Sequence, residues 1–435
     1  MRHNILTVSV TLGVVAGSSM SGIIVVDQGG GGDWTTITEA ISAATSGDEI
    51  EIVAGTYAEL VDLSGTDLQL RQQTSVDVVV IDGEDVRRCL VCTSGESSST
   101  TFTGLTFANG STPDSGGCIW IDDASPVFTN CTVTGGNAIH GAGVYVTGSL
   151  ASPDFNSVTI ESCTASQRGG GLKALQSTLT MIDCTIQDNI AGTQAGGMTI
   201  ESQAVLSMSD SFVLNNESGG IGFLTAGVSS IDSTTVSGND AIEGGGLRIS
   251  SSDVQVTGCV ISNNDATRGG GIQVGSGATN DAVLTLTSCI LMENRVIESG
   301  GGVYVIEAFG SSTNETVVID MCTFSDNSAG EASAALGNVA TDSVTIQATT
   351  FCDHWYAEEI MGNWVEVGTS NEFGLWCCGG DIDGDGDVDT SDLQAFLPAF
   401  GVEFITENDR EDVSRDGDAD VEDLILMLGN WGNCS

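Results

Sequence analysis

With 59 Asp and Glu against 11 Lys and Arg, this chain of 435 residues carries a formal charge of -48, and such a field repels phosphate backbones and anionic lipid head groups. No nucleic acid or membrane-surface partner is therefore expected. Aromatic residues make up 5%, Pro occurs 4 times and Gly 58 times, which argues against a helical bundle or a Pro-rich linker protein and favours short β-strands between Gly turns.

The first residues have the layout of an export signal. A short basic start precedes an apolar stretch from Ile5 to Ala16, and small residues at Ala16 and Ser18 suit cleavage. This pattern predicts a secretory signal peptide over residues 1–18, with a buried first strand as the alternative. No later stretch approaches the roughly 18 to 20 apolar residues of a membrane span, so a secreted, extracellular or cell-surface protein is expected.

The segment that follows predicts a short amphipathic helix. Thr36 and Glu39 have capping-box spacing, which satisfies backbone N–H groups at a helix start. The residues that share one helical face are Ile37, Ala40, Ile41 and Ala44. This helix is expected to cover the open end of a repetitive domain.

The middle of the chain repeats a short pattern about every 27 residues. Segments such as CTIQDN from 184 and CTFSDN from 322 alternate with segments such as GGGLRI from 244. Each repeat holds two or three short strands and cannot bury a core alone. The repeats therefore predict a parallel β-solenoid over residues 24–376, with equivalent residues stacked roughly 4.8 Å apart.

Three columns of this solenoid have predicted roles: apolar and inward, small and inward, and a hydrogen-bonded ladder at a turn. The apolar column is Phe107, Val133, Ile160, Ile186, Val213, Val236, Ile261, Leu291, Phe324 and Phe351. The small column is Leu105, Cys131, Val158, Cys184, Ser211, Thr234, Cys259, Cys289, Cys322 and Thr349. The ladder is Asn189, Asn216, Asn239, Asn264, Asn294 and Asn327, in which Asn suits left-handed backbone angles.

Most of the 13 cysteines are expected in the core rather than in a metal site. Five lie in the small column, where Cys is a small apolar residue. Cys89 and Cys92 favour a disulfide or a core role over zinc, because no matching second pair follows. A bridge from Cys434 to Cys377 or Cys378 would tie the ends of the last segment together.

The opening helix, the stacked columns and the Gly-Gly and Asn segments resemble the right-handed parallel β-helix proteins of the pectin-lyase-like superfamily. In detail they are most similar to the repeats of chlamydial polymorphic outer membrane proteins and related bacterial exported proteins. The resemblance covers roughly residues 24–360. It implies an all-β, right-handed parallel β-helix (solenoid) with an N-terminal capping helix, and it specifies a fold better than an activity.

The acidic segment 377–435 contains two loops of one layout, 381–392 and 412–423. Each places oxygen-bearing side chains at positions 1, 3, 5, 9 and 12 and Gly at position 6, the ligand spacing of a twelve-residue calcium loop. Apolar helix patterns follow both loops, at Leu393, Phe396, Leu397 and Phe400 and at Leu424, Leu426, Met427 and Leu428. The alternative is a disordered acidic tail.

This segment resembles a type I dockerin, a small α-helical EF-hand-like domain. The resemblance implies two calcium ions as cofactors, held by Asp381, Asp383, Asp385, Asp389 and Asp392, by Asp412, Ser414, Asp416, Asp420 and Asp423, and by the carbonyls of Asp387 and Asp418. Cellulosomal dockerins keep matching pairs at positions 10 and 11, whereas here Thr390-Ser391 faces Val421-Glu422. The identity of a cohesin-like partner therefore stays open.

The same resemblance implies relatives that cleave polysaccharides with an Arg, Lys or several Asp residues, so an active site is the alternative to a purely structural surface. The best catalytic candidates are Asp122, Asp123, His140 and Arg168, which the predicted register places on successive coils near one Gly turn. The alternative is solvated charge at the edge of the coils.

Two functions follow. The favoured one is an exported, non-catalytic β-helix surface protein for adhesion or for carbohydrate or protein binding, attached to a cohesin-like or cell-surface partner through its calcium-dependent module. The alternative is a carbohydrate-active β-helix enzyme, a polysaccharide lyase or glycoside hydrolase, that carries the same module. Glycan binding without product formation would favour the first.

Overall fold

The protein's architecture comes from a computed structural model, which describes residues 22–74, 78–275, 281–306, 315–330, 333–340, 344–352, 360–367, 371–373, 382, 387–401, 419–429 and 431–433. The predicted signal peptide 1–18 lies outside these residues. The described chain forms an all-β, right-handed solenoid of about 12 turns. Its coils contribute strands to three long parallel sheets, here called A, B and C.

Sheet A contains Ile23–Val26, Glu49–Ile52, Gln69–Gln72, Thr101–Thr103, Val127–Thr129, Asp154–Asn156, Thr178–Ile182, Val205–Ser209, Ser229–Asp232, Asp253–Thr257, Val283–Thr287, Thr316–Asp320, Val344–Gln347 and Trp364–Glu366. Sheet B contains Gly55–Tyr57, Val79–Asp82, Leu105–Ala108, Thr132–Thr134, Thr159–Glu161, Thr185–Gln187, Phe212–Leu214, Thr235–Ser237, Val260–Ser262, Ile290–Met292, Thr323–Ser325, Thr350–Cys352 and Glu372–Phe373. Sheet C contains Val61–Asp62, Leu90–Cys92, Ile119–Asp122, Val144–Thr147, Leu172–Leu175, Met198–Glu201, Ile221–Leu224, Leu247–Ser250, Ile272–Val274, Val303–Val305, Leu336–Asn338 and Ile360–Met361.

Two short lateral sheets lie between sheets B and C along the chain. The first contains Asn137–His140, Thr164–Arg168 and Ile190–Ala191. The second contains Asp240–Glu243, Asp265–Arg268, Arg295–Val296 and Ser328–Ala329. Because coil lengths vary, these lateral strands are the least regular part of the repeat.

The predicted apolar column is confirmed. The register pairs Val133 with Phe107 of the preceding coil, and every residue of the column is at most 1% exposed. On sheet A, Phe102, Phe128 and Phe155 stack with ring centroids 5.0 and 5.1 Å apart, a separation that follows from the strand spacing.

The small column is also buried, and it makes hydrogen bonds as well as filling space. Ser211 Oγ accepts a hydrogen bond from Cys184 N at 3.0 Å, and the Cys184 thiol donates to Phe155 O at 3.3 Å. Burial raises the pKa of the Cys184 thiol to about 11. The thiol therefore stays protonated and unreactive near neutral pH.

The predicted Asn ladder is confirmed, although for a different backbone reason. Asn216 Nδ2 donates to Asn239 Oδ1 at 3.0 Å, and the six ladder residues are at most 1% exposed. Their own backbones are not left-handed. The preceding residues adopt that conformation, as Asn215 does at φ +53° and Gly238 at φ +69°. The Asn side chains are selected because each satisfies buried backbone groups of two neighbouring coils.

The helix α1, Ile37–Ala43, begins at the predicted cap. Thr36 Oγ1 accepts a hydrogen bond from Glu39 N at 3.2 Å and donates one to Glu39 Oε2 at 2.9 Å. Ile37 and Ala40 are buried against the first coils, and the two other residues of the predicted face are partly buried. The capping helix is thus present and packs as expected.

Nine described cysteines are free and buried, among them Cys89 and Cys92. These two are therefore buried core residues without a disulfide between them. Cys352 is disulfide-bonded, and no other described cysteine is its partner. The predicted bridge from Cys434 to Cys377 or Cys378 falls outside the described residues.

Within 377–435 the structure describes two helices, α2 at Thr390–Phe396 and α3 at Val421–Gly429. Strands Asp387–Val388 and Gly432–Asn433 pair antiparallel. The small core that these elements enclose contains Ile382, Val388, Phe396, Ala419 and Met427. The helices begin within two residues of the predicted loop ends.

Candidate functional site

A continuous column of side chains lies on the outer face of sheet C. In register order it contains Trp120, Tyr145, Lys173, Thr199, Gly222, Arg248, Gln273 and Tyr304. Outward residues of a solenoid are normally solvated, yet Lys173 is 5% exposed, Thr199 0% and Gln273 1%. Another part of each coil must therefore cover this face.

The cover is the Gly-rich turn that precedes the sheet C strands from Ile119–Asp122 to Val303–Val305. Gly169 adopts φ +63°, and a Cβ built there would lie 3.0 Å from Lys173 Cβ. Gly244 adopts φ +65°, with the same relation to Arg248 at 2.9 Å. These positions require Gly both for the left-handed backbone and for the close approach. The turns and the lateral strands form one wall of a channel, called here the sheet C groove.

Basic residues concentrate at this groove. Of the eight Lys and Arg that the structure describes, six line it or its lateral wall: Arg88, Arg168, Lys173, Arg248, Arg268 and Arg295. Five of them are held by carboxylates, with Arg248 Nη2 lying 2.7 Å from Glu243 Oε2. The sixth, Arg88, lies over the Trp120 ring, 5.0 Å from its centroid. Most of the basic groups at the groove are therefore already paired with carboxylates.

Two of the four predicted catalytic candidates, His140 and Arg168, lie close together near the middle of the groove. His140 and Arg168 are register partners in the first lateral sheet. Arg168 Nη1 lies 2.9 Å from Glu201 Oε1, and Lys173 Nζ lies 3.0 Å from Glu201 Oε2. Sequence reasoning did not select Lys173 or Glu201, although Lys173 is the only lysine in the chain and was therefore a usable signal.

The other two candidates lie elsewhere. His140 forms a β-bridge with Ser115, which lies before the strand Ile119–Asp122. Asp122 is the last residue of that strand and Asp123 follows it, so both lie at the far end from His140. Asp123 Oδ1 accepts a hydrogen bond from Leu150 N at 3.0 Å and so stabilises a turn. The expectation of one cluster of four residues is therefore replaced by a group around Lys173 and a separate acidic turn.

Burial perturbs the titration of this region. Burial, and then the positive charge of Lys173, lower the pKa of His140, against the opposing effect of Glu201. Burial also lowers the pKa of Lys173, although Glu201 acts to raise it. At the acidic turn, burial and the Asp123 charge raise the pKa of Asp122. Glu201 thus favours the protonated form of Lys173 against the effect of burial.

A cavity of about 450 Å³, called here the pit, interrupts the groove. It arises at a short coil: Asn216 to Asn239 spans 23 residues, against 25 to 33 between the other ladder neighbours. This coil has no lateral strand. Its Glu217 forms single β-bridges with Ile190 of the first lateral sheet and Asp240 of the second. Gly222 adds no side chain to the outer column here. The short coil and this glycine together leave the space open.

Most of the predicted calcium ligands lie outside the part of the chain that the structure describes. Those outside the described residues are Asp381, Asp383, Asp385, Asp412, Ser414, Asp416 and Asp418, together with the side chains of Asp387 and Asp423. Among the residues that are described, no group of three His, Cys, Asp or Glu is arranged to hold a metal ion. Asp420 is exposed at the start of α3.

Asp389 and Asp392 are the best-defined members of the first loop. Asp392 is fully buried, and its carboxylate accepts hydrogen bonds from Ile382 N at 2.6 Å and from Asp389 N at 2.8 Å. Asp389 caps α2 by accepting from Ser391 N at 2.6 Å. Position 12 of the loop thus lies beside position 2.

A family model described as "right handed beta helix region" matches residues 89–196 and 180–317, which together exceed half of the chain. No curated protein matched the sequence. No helix in the described part of the chain is both long and apolar enough to cross a membrane.

Similar solved structures include three carbohydrate-active enzymes. Pectate lyase Pel9A is 14% identical with a TM-score of 0.39, over 82% of this chain and 80% of that one. The catalytic domain of a GH87 alpha-1,3-glucanase in complex with nigerose is 11% identical with a TM-score of 0.42, over 77% and 66%. Endo-xylogalacturonan hydrolase from Aspergillus tubingensis is 14% identical with a TM-score of 0.34, over 80% and 96%.

Proposed function

This chain belongs to the right-handed β-helix family, and we propose that it is an exported, non-catalytic glycan-binding protein. The sheet C groove holds the glycan along the solenoid axis. The C-terminal module, with two calcium ions, attaches the protein to a cohesin-like or cell-surface partner.

The observation that carries this proposal is the outer column of sheet C. Trp120 and Tyr145 are adjacent in register and only partly buried, so they offer aromatic surface beside polar groups. Further along the column, Lys173, Thr199 and Gln273 are covered by the turns, whereas Arg248 is partly exposed at a cavity. Aromatic rings on neighbouring coils, with a cavity further along the same face, suit a polymer that spans several coils better than a single small ligand.

The ion pairs support binding rather than hydrolysis. A glycosidase needs two carboxyl groups free to act as acid and as base or nucleophile across the scissile bond. In the groove, Glu201 holds both Lys173 and Arg168, and Glu243 holds Arg248. Glu201 and Glu243 are thus committed to structural pairs, whereas Glu217 and Asp240 are outside these pairs. Hydroxyl groups of a glycan can hydrogen-bond to all four carboxylates without any proton transfer.

One observation favours the alternative, a carbohydrate-active enzyme. Lys173 is buried, its pKa is lowered by that burial, and the charge of His140 responds to it. A lysine with a lowered pKa suits the general base of a polysaccharide lyase. In that case neutral Lys173 would remove a proton from the sugar, and Glu201 and Arg168 would position it.

The attachment role rests on the C-terminal acidic loops. The two loops carry oxygen-bearing side chains and Gly at the same positions of a twelve-residue pattern. The Asp392 carboxylate, at the end of the first loop, accepts a hydrogen bond from Ile382 N near its beginning. When bound, calcium would supply the charge that brings the clustered carboxylates together. The chain's own residues would then hold α2 and α3 as a compact surface for a protein partner. Export is supported by the predicted signal peptide.

The test combines binding and turnover on the full-length mature chain. Neutral and anionic polysaccharides are screened by affinity electrophoresis, and the same mixtures are assayed for new reducing ends and for unsaturated products. Binding without products, weakened by Trp120→Ala, supports the proposal. Product formation that Lys173→Met abolishes would establish the enzyme instead.

A further inference from the structure

We propose that the pit at the short coil is a subsite for a neutral sugar residue, so that the groove selects uncharged glycans. This inference rests on the proposed glycan binding and adds a ligand class to it. The pit's volume of about 450 Å³ falls within the roughly 300 to 1,000 Å³ usual for ligand pockets.

The charges around the pit exclude an anionic sugar. Its lining includes three carboxylates, Glu217, Asp240 and Glu243, and one guanidinium, Arg248, which leaves a formal charge of -2. Arg248 is already paired with Glu243 at 2.7 Å. A uronate carboxylate would therefore meet unpaired negative charge, whereas neutral hydroxyl groups can donate charge-assisted hydrogen bonds to it.

Polar atoms at the pit still lack protein partners. Arg248 Nε is a buried donor without an acceptor, and Gln194 Oε1 is a buried acceptor without a donor. Both residues line the pit. A ligand that both donates and accepts hydrogen bonds would satisfy the two, which a sugar hydroxyl does and a simple cation does not.

The pit is also continuous with more of the groove. Asp240 and Ala241 also line a second cavity of about 320 Å³, which is lined by residues of the second lateral sheet. In the other direction along the column, Thr199 and Lys173 are buried under the turns. A chain of sugars can therefore extend from the pit along the second lateral sheet.

Gly222 allows a direct test. It is not left-handed, and a Cβ built there would meet only Ala195 Cβ at 3.3 Å and Met198 O at 4.0 Å. Gly222→Tyr should therefore fill the pit without breaking the coil. Ser230→Tyr is the matched control, because Ser230 is an exposed strand residue of the same coil on sheet A. Thermal unfolding of both variants checks that the solenoid is intact.

Binding is measured by calorimetry, in calcium, with cellohexaose and mannohexaose as neutral probes and a galacturonate hexamer as the anionic probe. The expected result is binding of a neutral probe that Gly222→Tyr weakens at least about tenfold and Ser230→Tyr leaves unchanged. Neutral binding that Gly222→Tyr does not alter would overturn this inference but leave the proposed function standing. Preferred binding of galacturonate would overturn the neutral ligand class. A wild-type chain that binds no probe would overturn both proposals.

Discussion

Lys173 Nζ lies 3.0 Å from Glu201 Oε2 on the neighbouring strand of sheet C, while Arg168 Nη1 approaches the other oxygen of the same carboxylate at 2.9 Å. One carboxylate therefore holds two cations from different parts of the coil, and Lys173 is 5% exposed. This arrangement ties the lateral wall of the groove to its floor, so its loss should affect both stability and binding.

Replacing the shared carboxylate should be costly. Glu201→Gln leaves Lys173 buried without its counter-charge, and we expect the free energy of unfolding to fall by about 3 kcal/mol. Urea denaturation measures this change. The double variant Lys173→Met with Glu201→Gln removes the uncompensated charge and should recover most of the loss. A single variant as stable as wild type would show that water, not Glu201, stabilises Lys173.

The lowered pKa of His140 predicts a pH dependence. Its folded pKa is below the ordinary value of 6.5, so the unfolded state binds the proton first as the pH falls. Stability should therefore decrease on acidification through 6.5 and level off below the folded pKa. Comparing wild type with His140→Asn by denaturation at pH 7.5 and 5.5 isolates this contribution. We expect a smaller decrease in the variant, and equal decreases would argue against the burial of a neutral imidazole.

The Asn ladder offers a matched pair of neighbours. Asn216 donates to Ile186 O and Asn239 Oδ1, both at 3.0 Å, and accepts from Asn189 N at 3.1 Å. Asn216→Ala leaves buried groups unsatisfied and should lower the free energy of unfolding by about 2 to 4 kcal/mol.

Its exposed neighbour Asn215 is left-handed, so Asn215→Gly should change stability by less than about 0.5 kcal/mol. Chemical denaturation of the two variants gives the comparison. Similar losses in both would mean that the turn backbone, rather than the side-chain ladder, carries the stability.

The Gly-Gly turns predict a second contrast. At Gly244, an added Cβ would lie 2.5 Å from Leu247 O with φ at +65°, so Gly244→Ala should cost about 2 kcal/mol or more. Gly222→Ala, where the nearest atom is 3.3 Å away, should cost under about 1 kcal/mol. Melting temperatures of the two variants provide the measurement. The reverse order would contradict the role assigned to the turns.

Calcium binding is a prediction from the loop sequences. The full chain should bind two ions in a calorimetric titration after chelator treatment, with a gain of helical signal in circular dichroism. Asp383→Asn and Asp416→Asn should each remove one binding event, because each lies in a different loop. Asp188→Asn, at an exposed turn of the solenoid, should leave two. A variant pair with unchanged stoichiometry would refute the proposed loops.

The sequence by itself determined the solenoid, its inward columns and its first helix. In a solenoid each residue contacts its equivalents one repeat away, so a period in the sequence is directly a contact in space. For this reason the repeat alone pairs Val133 with Phe107, and Asn216 with Asn239. The cap at Thr36 is equally local, since its partners are three residues away.

Only the tertiary structure decided the groove and the pit. The Lys173–Glu201 pair joins residues that are not equivalent within the repeat, so periodicity does not relate them. The lateral wall depends on the lengths of irregular turns, and one coil of 23 residues is enough to open a cavity. Asp122 and His140 likewise lie in adjacent coils but at different ends of the sheet C strands. The repeats determine which residues stack in columns, whereas turn length and side-chain length determine the shape and charge of the surface between those columns.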